Sequence, residues 1–140
     1  ELGLVRVVEV VAAHDIGRAL HRDALEGQIE GGVVQGAGWA VTEELKLADG
    51  RLLNAGFTDY LIPTAADAPR VRIELIEAGD GNGPYGAKGL GEPSLIPTAA
   101  AVRNAVTAAL GVEIDRTPLT PPSLVAALDA AGATAPRRAR

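Results

Sequence analysis

The chain has 140 residues, a formal net charge of -5, 47% hydrophobic residues and only four aromatic ones, Trp39, Phe57, Tyr60 and Tyr85. That length suits one domain packed by Ala, Val, Leu and Gly, and the acidic balance argues against a nucleic-acid partner. With no cysteine there is no disulfide, no thiolate-bound zinc and no Cys-ligated iron–sulfur cluster within the chain, and no apolar run reaches the roughly 20 residues of a membrane-spanning helix.

Residues 4–13 (LVRVVEVVAA) are rich in β-branched side chains and almost continuously apolar, the pattern of a buried strand. His14-Asp15-Ile16-Gly17-Arg18 then reads as a loop. From about residue 26 to 44 the spacing is helical, with Ile29, Val33, Ala37, Ala40 and Val41 on one stripe. Gly31, Gly32, Gly36 and Gly38 each weaken such a helix by up to about 1 kcal/mol relative to Ala, which points to close packing against something. Leu45-Lys46-Leu47 and Arg51-Leu52-Leu53 flank an Asp49-Gly50 step, a hairpin signal. Residues 54–69 read as loop and 71–78 as a strand. A glycine-rich loop follows over 79–91. Pro93 suits a first helical turn, with Ile96, Ala99, Val102, Val106 and Leu110 as the apolar stripe and Gly111 as the stop. Val112-Glu113-Ile114 reads as a short strand, and Thr120-Pro121 opens a last helix to about Ala130. The sum is an α+β fold, a mixed sheet with packed helices. Residues 1–132 form the folded portion, and 133–140 read as a disordered tail.

Two segments carry chemistry. The first is PYGAKGLGEP (84–93), which brings Glu92 to the junction of a glycine-rich loop and a helix start. Glycines let backbone N–H groups approach a bulky ligand. Taken alone, Glu92 is equally a carboxylate complementing a helix dipole, and the loop a plain connection. The stretch between Gly86 and Gly91, with Lys88, also permits a mononucleotide site, although its spacing is neither the Walker A nor the dinucleotide pattern. The second segment is GQIEGGVVQGAGWA (27–40). A helix nearly bare except for amides lets a planar ligand approach and hydrogen-bond to Gln28, or it is a tight small-residue packing face with solvated glutamines.

Read together and in order, the motifs narrow the choice. DIGRAL (15–20), GQIEGGVVQGAGWA, Glu43-Glu44, Asp49-Gly50-Arg51, Asn54, Asp59-Tyr60 with Ile62-Pro63, Asp67 with Pro69, and PYGAKGLGEPSLIPTAAAVRNAV (84–106) closely resemble the molybdenum hydroxylases of the xanthine dehydrogenase/aldehyde oxidase family. The resemblance is to the last part of the large molybdopterin-binding subunit and covers about residues 5 to 130. It implies a fragment of a larger molybdopterin-binding domain, holding a molybdenum–pterin cofactor in its molybdopterin or dinucleotide form. Iron–sulfur clusters and FAD are expected on other domains or subunits. Glu92 matches the family's active-site glutamate and Gln28 a glutamine that contacts the pterin. The backbone of Ala87, Lys88, Gly89, Leu90 and Gly91 is expected close to the molybdenum, with no side chain of this chain as a metal ligand. The implied reaction is hydroxylation of an aldehyde or N-heterocycle with water-derived oxygen. In it Glu92 deprotonates a molybdenum-bound hydroxide, and hydride passes to a sulfido ligand. His21-Arg22-Asp23 and Ser94 depart from the residues many relatives carry at those places.

The alternative is a non-catalytic assembly module of the same fold. His14 beside Asp15 lacks a nucleophile and reads as a loop histidine. Trp39 reads as core, and Asp59-Tyr60 as a loop tether. The chain lacks methionine and opens inside an apolar run, so it reads as a fragment or a processed chain. The cytoplasm is the default compartment.

Overall fold

The computed structural model describes residues 3–79 and 81–132; the tail expected over 133–140 lies outside them. Strand β1 (Glu9–Asp15) runs parallel to β4 (Arg70–Ile76), in register from Glu9 opposite Arg70 to Asp15 opposite Ile76. Parallel strands need a long crossover. Here it contains helix α1 (Arg22–Val41) and a separate hairpin of β2 (Leu47–Ala48) and β3 (Arg51–Leu52). A single helical turn at Pro84–Gly86, helix α2 (Thr98–Leu110) and helix α3 (Pro121–Ala130) complete the chain. The α+β class is as expected, but the sheet is two small pieces rather than one.

Helix α1 joins two cores. Its middle sends Ile29 and Val33 against Ala12 and Ile16, with Val10, Val71, Ile73 and Leu75 of the sheet around them. Its C-terminal end sends Ala40 against Val102, Ile114, Leu119 and Leu124. Each fully buried Ile, Leu or Val side chain among these contributes about 1.5–3 kcal/mol.

Several boundaries differ from the sequence-based expectation. Helix α1 begins earlier, at Arg22, because His21 caps it: His21 Nδ1 accepts a hydrogen bond from Ala24 N–H at 3.1 Å. Helix α2 begins later, at Thr98. Pro97 has no N–H to give and its ring disfavours helical geometry in Ile96, so residues 93–97 form a separate turn and Ile96 is exposed. The run 112–114 is not a strand: it finds no partner strand, and the Arg103 guanidinium takes the Ile114 carbonyl. The apolar run 4–13 is paired only from Glu9 onward. Its covered face carries Val10 and Ala12, while Val8 and Val11 are 73% and 52% exposed.

The glycines of α1 divide sharply. A Cβ on Gly32 would overlap Ser94 Oγ, and one on Gly36 would lie 2.6 Å from Thr98 Cβ. These two seat the entry to α2 against α1. Gly27 and Gly31 meet nothing within 4 Å.

Candidate functional site

The loop carrying Glu92 is laid as a strap between the end of β1 and the flank of α1. Gly17 and Ala87 form an isolated antiparallel bridge, in which Arg18 N–H donates to Gly86 O at 2.9 Å and Lys88 N–H to Ile16 O at 2.9 Å. Gly17 makes this possible twice over: its φ is +62°, and any Cβ there would collide with the Gly86 carbonyl. Lys88 Nζ reaches Asp15 Oδ2 at 2.6 Å, and Asp15 Oδ1 accepts from Gly17 N–H at 3.0 Å. Those bonds, the Lys88 one first, hold the Asp15 carboxyl below its ordinary range. Leu90, 7% exposed, sinks into the core beside Ile29 and Val33. On the far side Gln28 Nε2 donates to Gly91 O at 2.6 Å.

Gln28, Ala87, Lys88, Leu90 and Gly91 therefore line one cleft of about 400 Å³, together with Arg18, His21 and Leu25. The sequence-predicted residues are brought together, with two differences. Leu90 spends its side chain largely on the core, so its part in a site is as an anchor. Glu92 and Gly89 adjoin the cleft rather than lining it. The Glu92 side chain is exposed and makes no hydrogen bond or ion pair among the described residues. Its carbonyl closes the turn ahead of α2, accepting from Leu95 N–H at 2.9 Å and Ile96 N–H at 3.3 Å. The expected placement of Glu92 at the α2 N-terminus, and with it the helix-dipole argument, is corrected: α2 starts six residues later, and the dipole fades within its first turn.

The cleft fits a flat, polar heterocycle. The N–H groups of Gly89, Leu90 and Gly91 have no acceptor among the described residues, Gln28 Oε1 is free to accept, and Gly27 and Gly31 leave the adjoining face of α1 bare. It fits a phosphate on Lys88 poorly, because Asp15 already holds that ammonium.

Asp15 pairs with Lys88 rather than His14, and His21, at the cleft wall, serves as a cap. Trp39 is not core: it is 42% exposed and lines a second cleft with Glu43, Glu44 and Tyr60. The tether at Asp59-Tyr60 is real. Tyr60 OH donates to Glu43 at 2.6 Å, and buried Asn54 accepts from Lys46 N–H while donating to Glu44 O. Sequence reasoning passes over Asp15, Arg18 and Leu25 as parts of the site, and only their position opposite a loop some seventy residues away reveals them.

The sequence profile of the molybdopterin cofactor-binding domain matches residues 1–69. The xanthine dehydrogenase molybdenum-binding subunit of Escherichia coli O157:H7 is 40% identical over 130 residues, 91% of this chain. The chain belongs to the xanthine dehydrogenase/aldehyde oxidase family of molybdenum hydroxylases. The nicotine 6-hydroxylase large subunit of Paenarthrobacter nicotinovorans is 40% identical over 129 residues, 89% of this chain and 16% of that protein. Among solved structures of the family, quinoline 2-oxidoreductase from Pseudomonas putida 86 superposes with a TM-score of 0.83 at 38% identity, over 89% of this chain and 16% of that one. The aldehyde oxidoreductase from Desulfovibrio gigas gives 0.83 at 31% identity, over 91% and 14%. The chain thus spans about 17% of the length of the molybdenum-binding subunit it matches. No helix among the described residues is long and apolar enough to cross a membrane.

Proposed function

We propose that this chain is the part of a molybdopterin-binding subunit that presents the catalytic base, in an enzyme hydroxylating an aldehyde or an N-heterocycle with water-derived oxygen. The observation that carries the reading is Glu92. Its free carboxylate follows directly on a strap fixed at residues 87, 88, 90 and 91, beside unpaired amides and Gln28. Relatives named for nicotine hydroxylation and for aldehyde oxidation support the two substrate classes.

A molybdenum–pterin cofactor, when bound, supplies the two-electron acceptor and the oxygen to be activated. Gln28 would hold it through Oε1, and Gly89, Leu90 and Gly91 through their N–H groups. Gly27 and Gly31 keep the flank of α1 open to a planar ring. Glu92 takes up a proton at a carboxylate oxygen, and neither of its oxygens has a donor among the described residues. The strap fixes the backbone that leads into Glu92, which narrows the space its carboxylate has to search before proton transfer. The remainder of the subunit, and iron–sulfur and FAD modules, are the implied partners.

Glu92→Gln in the complete enzyme tests the assignment. Substrate reduction of the enzyme slows by about 10² to 10⁴-fold, the usual worth of a general base, while molybdenum and pterin contents stay at wild-type levels. Near-normal reduction by that variant removes Glu92 from the mechanism.

A further inference from the structure

We infer that Asp15 and Lys88 are a positioning pair that sets the place of Glu92. The inference rests on the proposed role of Glu92 as base and names the residues through which the fold controls it.

A segment reading Gly-Ala-Lys-Gly-Leu-Gly has little conformational preference of its own. Its geometry must be imposed from outside. Asp15 is suited to impose it because it is rigid twice: it is the last residue of β1, in register with Ile76, and its own carboxylate accepts Gly17 N–H. The Lys88 ammonium meets that carboxylate at 2.6 Å. Its stem crosses the face of Gly17, where an added Cβ would lie 3.2 Å from Lys88 Cγ. Gly17 and Asp15 are thus a seat for the whole lysine side chain, stem and charge together. Only Gly89, Leu90 and Gly91 separate that seat from Glu92.

Both partners are partly open to water, with side chains 32% and 39% exposed, and pairs of that kind add little to stability. The charge is therefore read as orientation. An apolar substitute for the lysine could hold the loop against the sheet, but it would not fix its rotation. The other exposed pair nearby, Arg22 with Glu26 on α1, makes no bond to the strap and serves as the control.

The test uses the complete enzyme and three readouts: single-turnover reduction by substrate, molybdenum content, and amide hydrogen exchange at Arg18 and Lys88, whose N–H groups bond Gly86 O and Ile16 O across the strap. Lys88→Met and Asp15→Asn each slow reduction by about 10 to 100-fold, the scale of a displacement near 1 Å at a reacting group. KM and molybdenum content hold, and exchange at the Arg18 and Lys88 amides quickens. The charge-swapped double variant Asp15→Lys with Lys88→Asp recovers part of the rate lost in either reversal alone, and Arg22→Met changes none of the three readouts. Wild-type rates in Lys88→Met, a loss that follows molybdenum content, or no recovery in the swap overturns the pair. If Glu92→Gln itself keeps full activity, the base assignment falls instead, and the exchange readout still decides whether Asp15 and Lys88 fix the strap.

Discussion

The seating of the Glu92 segment on α1 gives a prediction that separates two adjacent glycines. Helix α1 would gain about 1 kcal/mol from Ala at either Gly31 or Gly32 on propensity alone. Gly31→Ala meets open space and keeps that gain. Gly32→Ala drives its Cβ into Ser94 Oγ, with Ser94 Cβ at 3.1 Å and Leu95 N at 3.2 Å, where Ser94 is 1% exposed and has nowhere to retreat. Overpacking of this kind costs about 1–3 kcal/mol. Gly32→Ala should therefore fall below Gly31→Ala by about 1–3 kcal/mol. Ser94 also identifies the rescue. Its buried hydroxyl has no hydrogen-bond partner, so Ser94→Ala removes an unsatisfied group and opens the space that the methyl added by Gly32→Ala needs. Urea unfolding of the 140-residue chain, followed by the fluorescence of Trp39, its only tryptophan, measures the three single variants and the Gly32→Ala/Ser94→Ala double. Equal stability of the Gly31 and Gly32 variants, or no rescue by Ser94→Ala, refutes the close seating.

Two further outcomes follow from hydrogen bonds already described. Gln28→Ala removes both the tether to Gly91 O, worth about 0.5–1.5 kcal/mol, and the proposed cofactor contact. It should lose molybdenum and pterin on dialysis, and unchanged contents would count against a cofactor role. Tyr60 has its pKa raised above the ordinary 10.0, first by the bond to Glu43 and then by burial and the Glu43 charge. Its folded-state pKa is the higher one, so the stabilisation is complete below about pH 10 and disappears as pH rises through the folded value. Tyr60→Phe should be less stable by about 0.5–1.5 kcal/mol at neutral pH, and its urea midpoint should converge with wild type in alkali. Parallel curves across that range would show that the bond contributes nothing.

Local chemistry made much of the fold legible. Asp49-Gly50 sits in a turn with both φ positive, +49° and +75°; Gly111 closes α2 at +68°; Thr120 caps α3 through Ser123 N–H. These features depend only on neighbours in sequence. The misreadings arise where a distant group decides or a local signal is uncommon. Histidine is not a customary N-cap, so apolar spacing alone starts α1 too late. Val112-Glu113-Ile114 has strand composition without a partner strand. The run 4–13 has the composition of a strand covered on both faces, while only one face is covered within this chain. For the site, the motifs singled out Gln28 and the strap, which the fold brings together, but not that Gln28 grips the strap itself. The Asp15–Lys88 pair joins residues 73 apart and leaves no local trace.

That separation has a temporal meaning. The tethers at Gln28–Gly91 and Asp15–Lys88 span 63 and 73 residues. At a synthesis rate of about 5–20 residues per second, Asp15 and Gln28 leave the ribosome roughly 3–15 s before their partners exist. Until then Asp15 has no ammonium to meet, and Gln28 has no carbonyl to hold. The cleft is therefore completed by the later-made segment, and none of its tethers can form while the chain ends short of residue 88.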